Sequence, residues 1–348
     1  MSANIAIAMR LKRIIYVCTK IQRRKWCCSM DTSVEADIKD LSAYNRAYGS
    51  GAYYRGNAGQ KYGIIIDGEL WLVKFPQSTK EFAGKHLPSY TSSPVSEYIG
   101  SKIYESLGIP VHETMLGYRD GKIVVACKDF DPQREFIDFH QIKNTVDEAL
   151  LASGSRSSSR GSNLEDVLTV LREAKEFTKA EGSLERFWDM FVVDALIRNN
   201  DRNDTNWGVL AGQYGTFRLA PVFDNGNCLF NKRNTSLAQL RLENDALLEQ
   251  DAIGTGVSFF LDNDGNHIHP FDFMLATDNA DCKAAVVRVA ERLDLNKVRE
   301  IVESVPEQAF SREVLSREQK DFYKELLETA ANKGLYPAAD KISSVSLV

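Results

Sequence analysis

I-R-N-N-D-R-N-D-T-N-W-G-V-L (residues 197–210), G-Q-Y-G (212–215) and T-F-R-L-A-P-V-F-D-N-G (216–226) follow one another with only Ala211 between the first two. Residues 207–210 and 217–219 read as a short β-hairpin whose turn carries Gly212 and Gly215. A hairpin folds its ends together. Asp201 and Asn206, just before its first strand, are thereby expected beside Asp224, just after its second. Two carboxylates and an amide oxygen are hard oxygen ligands suited to Mg²⁺, which usually shares its coordination shell with phosphate. The spacing points to phosphoryl transfer. A catalytic Asp that takes the proton of an attacking hydroxyl, a metal-binding Asn five positions on and a second metal-binding Asp followed closely by Gly are parts of kinase sites. Asp201, Asn206 and Asp224-Asn225-Gly226 stand in those places.

Two more parts are sought upstream: a strand lysine on the phosphates and a helix glutamate that orients it. Residues 64–67 and 70–75 form a hairpin pattern around an Asp67-Gly68 type I′ signal, with Leu70, Leu72 and Lys74 on one face of the second strand. Ser93 as N-cap, Pro94 at the first helical position, apolar Val95, Tyr98, Ile99 and Ile103, and Gly108 as terminator define a helix carrying Glu97. A lysine on an apolar face is costly without a partner such as Glu97 and triphosphate; the alternative is a strand lysine reaching solvent. Ahead of the hairpin, the Gly-rich turn Gly56-Asn57-Ala58-Gly59-Gln60-Lys61 offers backbone N–H groups to phosphates. It is not a P-loop, because its lysine is not preceded by glycine and a strand, not a helix, follows.

Further along, a hairpin is expected at residues 115–118 and 123–127 around Asp120-Gly121. Helical patterns cover residues 164–178, 184–198, 280–293, 297–305 and 317–332, the last with a Ser316-x-x-Gln319 capping box. Residues 153–163 hold six serines in S-G-S-R-S-S-S-R-G-S-N, a composition that reads as a mobile loop, either merely solvated or a phosphoacceptor. The fold class expected is α+β in two lobes, with an antiparallel-sheet N-lobe over residues 31–130 and a mainly helical C-lobe over 131–348.

Composition narrows the partners. At 348 residues, 43% apolar and 26% charged, the chain is globular, and 43 basic against 48 acidic residues give no overall reason to expect nucleic acid or an anionic membrane. Residues 1–30 differ, with Arg10, Lys12, Arg13, Lys20, Arg23, Arg24 and Lys25 but no acid, and are expected to be a disordered or non-native extension before a domain starting near Met30. No run of 18 apolar residues is present to span a membrane. Cys18, Cys27, Cys28, Cys127, Cys228 and Cys282 form neither a metal spacing nor a disulfide framework, so a cytoplasmic setting is expected, with non-classical export or delivery into a host cell left open. His267 and His269 follow an Asp262-Asn263-Asp264-Gly265 turn, read as a hairpin with both histidines on one strand face and not as a metal loop.

Taken together, G-N-A-G-Q-K-Y-G-I-I-I-D-G-E-L-W-L-V-K-F-P (56–76), S-S-P-V-S-E-Y-I-G-S-K-I-Y-E-S-L-G-I-P-V-H-E-T (92–114), A-C-K-D-F (126–130), residues 196–210 and L-A-P-V-F-D-N-G-N-C-L-F (219–230) resemble the HipA-like serine/threonine kinases, and within them the shorter CtkA-like branch. The resemblance implies a two-lobed kinase fold with ATP and Mg²⁺ between the lobes, and transfer of the γ-phosphoryl to Ser or Thr hydroxyls of proteins, autophosphorylation included. It places the catalytic Asp on Asp201, metal ligands on Asn206 and Asp224, and the nucleotide lysine on Lys74. The phosphate loop falls on Asn57, Ala58, Gly59, Gln60 and Lys61, and the adenine hinge on Lys128, Asp129 and Phe130; Lys74 pairing with Glu97 follows from kinases generally. HipA toxins carry a phosphate-loop serine whose autophosphorylation silences them, whereas Tyr54 and Arg55 precede Gly56 here and Ser50 is the nearest serine. The 55 residues before the Gly-rich turn leave little room for HipA's extra N-terminal subdomain, so an antitoxin-like partner is left open. Two other readings stand beside a protein kinase: a small-molecule or lipid kinase, and a toxin-like regulator that binds nucleotide without turnover.

Overall fold

The computed structural model describes residues 36–47, 60–78, 91–150 and 162–345. Asn57, Ala58 and Gly59, the basic N-terminal stretch and most of the Ser-rich stretch lie outside the described residues. After β1 (Lys39–Asp40), β2 (Lys61–Ile66) and β3 (Glu69–Lys74) pair antiparallel across Asp67 and Gly68, at φ 54° and 84°. Past α1 (Ser93–Ser106), β4 (Thr114–Arg119) and β5 (Lys122–Lys128) pair across Asp120 and Gly121, at φ 50° and 75°. Left-handed geometry at both central residues is what a type I′ turn requires. The five strands join in the order β1-β4-β5-β3-β2. One refinement is needed to the expected antiparallel sheet: edge strand β1 runs parallel to β4.

Alternation along these strands sorts the two faces. Ile64, Ile66, Trp71, Val73, Phe75, Val124 and Ala126 close a small core with Leu41. Lys74 extends from the opposite face of β3 and reaches Glu97 on α1. Val95, Ile99, Ile103 and Tyr104 of α1 belong instead to the large core of the helical half, which makes α1 the shared element between sheet and helices. Each such aliphatic side chain contributes about 1.5–3 kcal/mol on burial. The start of α1 corrects the sequence reading. Its N-cap is Ser92, with no side-chain capping bond; Ser92 Oγ donates to the carbonyl of Asn231 at 3.0 Å, while Ser93 Oγ is engaged with Thr91 Oγ1 at 2.8 Å.

The second half is helical around a small sheet. β6 (Glu135–Asp138) leads into α2 (Phe139–Leu150), and β7 (Ser162–Asn163) into α3 (Leu164–Glu173), whose Glu165 and Asp166 N–H groups are capped by the Asn163 side chain. The single pattern expected over 164–178 is broken at Ala174 (ψ 129°), and α4 (Lys175–Thr178) follows at a new angle. The break sends Phe177 against Phe139 and Trp207, with ring centroids 5.9 and 5.8 Å away. Then α5 (Ser183–Ile197) is buried on nearly every side from Phe187 onward, where only Asp189 and Asp194 interrupt the apolar sequence.

The expected hairpin is β8 (Gly208–Ala211) and β9 (Phe217–Leu219), with β6 completing a three-stranded sheet. β6 passes so close that a Cβ on Gly208 would stand 2.1 Å from the Ile137 carbonyl oxygen. Helices α6 (Thr235–Leu242), α7 (Asp245–Glu249), α8 (Pro270–Ala276), α9 (Ala280–Arg292), α10 (Leu295–Ser304), α11 (Arg317–Ala330) and α12 (Tyr336–Val345) complete the fold. The Ser316–Gln319 capping box is present in full. Past it the expected end near 332 is corrected, because α11 widens through Ala331–Leu335 and runs into α12, with Gly334 seated against the Phe271 ring. The 262–265 turn exists, but no strand carries both histidines: His267 makes a single bridge to Leu261, and His269 is the N-cap of α8.

Candidate active site

The loop after α5 is shaped by a buried charge pair that the sequence reading did not single out. Arg198 leaves the helix at φ 61°, ψ 37°, and Asn199 turns back to donate to Asp194 Oδ1 at 3.0 Å. Arg202 then lies behind the loop, its Nε 2.8 Å from Asp194 Oδ2 and its Nη2 3.0 Å from Asp194 Oδ1. The same guanidinium donates to the carbonyls of Asn206 (3.2 Å) and Phe223, and to Asn225 Oδ1 at 2.7 Å. Tyr104 of α1 donates its hydroxyl to Asp194 at 2.8 Å. One arginine therefore ties both ends of the β8–β9 hairpin to α5. Burial alone would lower the Arg202 pKa, but Asp194 and its hydrogen bonds hold it above the ordinary arginine value. A sign was present in the sequence: Asp194 is the only acid in F-V-V-D-A-L-I (191–197).

With the hairpin ends so fixed, Asp201, Asp224, Lys74 and Glu97 line one cleft of about 110 Å³. Lys74 Nζ lies 3.2 Å from Glu97 Oε2 and 2.8 Å from Asp224 Oδ1. Glu97 is fully engaged, because its Oε1 also accepts the Asn225 N–H at 3.0 Å and lies 3.0 Å from His112 Nε2. Burial works against both ions, yet Asp224 and Glu97 hold the Lys74 ammonium well above its ordinary pKa, while Lys74, His112 and the Asn225 N–H hold Glu97 well below its own. Asp224 sits at φ 59°, a left-handed conformation uncommon outside glycine. At Gly226 a Cβ would stand 3.0 Å from Glu97 Oε2, so glycine is what lets this segment approach α1. Ligand atoms of Cys127, Glu97 and His112 lie within 4.8 Å of one another, but both Glu97 oxygens are already engaged by Lys74, His112 and the Asn225 N–H.

Asp201 stands exposed at the cleft, bonded to Asn203 Nδ2 at 3.1 Å. Crowding by the surrounding protein raises its carboxyl above the ordinary Asp value, and the charge of Asp224 adds to the rise. Asn206 is buried beside it, its Nδ2 donating to the Asp201 carbonyl at 2.8 Å, and among the described residues nothing donates to its Oδ1. This fits an oxygen ligand, and with the Asp224 carboxylate it forms a donor set suited to Mg²⁺. Lys61 pairs with Lys74 across β2 and β3, and Gln60 accepts the Phe75 N–H at 3.0 Å, which places the end of the Gly-rich turn next to Lys74.

The hinge candidates separate. Lys128 is occupied by Glu69 at 2.7 Å and Glu113 at 3.6 Å. Asp129 accepts the Phe130 N–H at 2.9 Å and gives its own N–H to Leu70, and burial raises its carboxyl pKa. Phe130 packs with Phe136 and Phe223 at 5.4 and 5.2 Å, which links this strand end to the residue before Asp224.

Residues 56–310 match the model of the HipA-like C-terminal domain. The chain is 34% identical over 296 residues to the serine/threonine-protein kinase CtkA of Helicobacter pylori strain J99, covering 84% of this chain and 86% of that protein. The crystal structure of the H. pylori proinflammatory kinase CtkA superposes with a TM-score of 0.77 at 30% identity, over 90% of this chain and 99% of that one. The toxin HipA of Shewanella oneidensis, solved with HipB and operator DNA, shares the fold with a TM-score of 0.50 at 13% identity, over 92% and 72% of the two chains. With a family model covering most of the chain and a relative aligned over more than four-fifths of it, this protein belongs to the HipA-like C-terminal domain family.

Proposed function

We propose that this protein is a serine/threonine-protein kinase that transfers the γ-phosphoryl group of ATP to Ser or Thr hydroxyls of protein acceptors, itself among them. The observation that carries this is the convergence of Lys74 from β3, Glu97 from α1, and Asp201 and Asp224 from the two ends of one hairpin on a single cleft. Asp201 orients the acceptor hydroxyl and takes its proton as the oxygen attacks phosphorus and the bond to the β,γ-bridging oxygen breaks, releasing ADP. Its raised pKa brings it closer to the range in which a carboxylate is an effective base. Lys74, aligned by Glu97, exchanges its contact with Asp224 for nucleotide phosphate oxygens. Asn206 and Asp224 would hold Mg²⁺, which neutralises phosphate charge when bound. Backbone N–H groups of the turn ending at Gln60 and Lys61 cover the phosphates, and residues 128–130 form the adenine side of the cleft.

On this reading residues 31–130 act as the nucleotide lobe and 131–348 as the catalytic lobe, with α1 anchored in both. Among the described residues no helix is long and apolar enough to cross a membrane. The test is incubation of the purified protein with γ-labelled ATP and Mg²⁺, alone and with generic protein acceptors, beside folded Asp201→Asn and Asp224→Ala controls. Label on protein with the unaltered chain alone is the expected result; ATP binding without transfer to any protein acceptor sinks the proposal.

A further inference from the structure

Behind the loop that carries Asp201 lies a second cavity of about 380 Å³, bounded by the end of α5 and by parts of residues 227–237 and 255–260. Asn227 and Asn231 line both this cavity and the nucleotide cleft, so the two spaces share a wall just past Asp224. Lys74, Glu97 and Asp224 do not line it, and the phosphates of the nucleotide are not what it serves.

Its charge is unbalanced. Arg233 is neutralised by Asp251 and lies over the Phe230 ring at 3.9 Å, and Arg241 shares the same carboxylate at 2.8 Å. Asp194, also in the wall, is consumed by Arg202, Asn199 and Tyr104. Arg198 is left over: its Nε is sealed from solvent without a hydrogen-bond partner, and among the described residues its guanidinium makes no ion pair. Burial lowers its pKa to about 10, with Asp251 opposing that shift and Arg233 adding to it. The wall is fitted to this side chain, since a Cβ on Gly256 would stand 1.7–2.0 Å from the Arg198 guanidinium atoms. Lys232 adds positive potential that is also felt at Asp201. A guanidinium with no ion pair of its own, and only the shared Asp251 charge nearby, beside a roomy, amide-lined space is stabilised by an entering anion, with which it makes strong charge-assisted hydrogen bonds.

We propose that this cavity is an acceptor-side subsite that takes an anionic group of the protein substrate, phosphate or carboxylate, within a few residues of the acceptor hydroxyl. The acceptor role rests on the kinase reading above; the anion site does not. Inorganic phosphate is titrated against the full chain while the thermal midpoint is followed, in the unaltered protein and in Arg198→Gln, Arg198→Lys, Gly256→Ala and Lys74→Met. The midpoint is expected to rise with phosphate in the unaltered chain and in Lys74→Met, less in Arg198→Lys, and not in Arg198→Gln or Gly256→Ala. Serine peptides carrying Asp, phosphoserine or Ala near the acceptor are then compared. A preference of roughly tenfold in kcat/KM for the anionic peptides, the worth of about one charge-assisted hydrogen bond, is expected to appear in KM and to vanish in Arg198→Gln. The Asp and phosphoserine arms report which anion is preferred. A phosphate response that survives Arg198→Gln, or an unaltered enzyme indifferent to peptide charge, overturns the proposal. If phosphate binding depends on Arg198 but no peptide is ever labelled, the kinase reading fails and the anion cavity stands.

Discussion

Two groups of charges flank the same loop and are built on opposite terms. In front of it, Lys74 is shared between buried Glu97 and the more exposed Asp224, and Asp201 stands in the open cleft with one side-chain partner, Asn203. Behind it, Arg202 spends its guanidinium on Asp194, Asn225 and two backbone carbonyls, and Asp194 is completed by Tyr104 and Asn199. The closed network has nothing to offer a ligand, and it fixes where both hairpin ends stand. The open one has contacts it can exchange, which is what a site for a triphosphate and a hydroxyl needs. Polar groups that hold shape are satisfied within the fold, whereas groups that do chemistry are left with partners to gain.

Substituting on each side separates the two roles. Asp201→Asn is expected to cut kcat by about 10² to 10⁴ with nucleotide affinity nearly intact and no loss of fold, as measured by steady-state transfer and ATP titration. Arg202→Met acts on the other account. It leaves Asp194 charged and buried, and is expected to cost about 3–5 kcal/mol in urea unfolding; replacing Asp194 by Leu in the same chain should recover much of that loss. If Arg202→Met left stability unchanged while abolishing transfer, the two clusters would not differ in kind. Lys74→Met is intermediate, because it removes a phosphate ligand and takes the lysine from Glu97 Oε2 at once, while His112 and the Asn225 N–H still hold Oε1. Mg-ATP affinity is expected to fall about 10- to 100-fold by calorimetry, together with a measurable drop in thermal midpoint.

The sequence revealed the open cluster better than the closed one, for a physical reason. Lys74 on the Leu72 face, Glu97 on a helix marked by Pro94 and its apolar spacing, and Asp201, Asn206 and Asp224 around a hairpin are each set by local periodicity or turn chemistry, so patterns of two, four or five residues locate them. The turns at Asp67-Gly68 and Asp120-Gly121 and the Ser316 capping box were legible on the same grounds. The link of Arg202 to Asp194, Asn225 and Phe223 depends on how a loop folds back on a helix, and no short-range pattern encodes it. The contact of His112 with Glu97 belongs to the same class, and so does the approach of Gly226 to Glu97, although Gly226 itself is legible in Asp224-Asn225-Gly226. The break at Ala174 was missed because apolar spacing continues through it; only the tertiary demand for Phe177 beside Trp207 ends the helix there.

The smallest effect is in pH dependence, where two of the cleft carboxylates, Glu97 and Asp201, should have opposite signs. Glu97 is held below its ordinary value of 4.5, so its pairing with Lys74 and the Asn225 N–H adds stability that is full above that pH and is lost as pH falls further, toward its folded value. Asp201 is raised above its ordinary 3.8 by crowding and by Asp224, so its ionisation lowers stability above its folded pKa, and that cost disappears below 3.8. Urea midpoints for the unaltered chain, Glu97→Gln and Asp201→Asn, taken at about pH 7 and again at about pH 3, below both ordinary values, read both signs. Glu97→Gln should lose stability at pH 7 and approach the unaltered chain in acid. Asp201→Asn should be slightly the more stable protein at pH 7 and lose that margin in acid, the gain expected when a charge kept for chemistry is removed from a fold that does not need it. A destabilised Asp201→Asn at pH 7 would mean that Asp201 helps to hold the loop, and the division between the two clusters would have to move forward to include it.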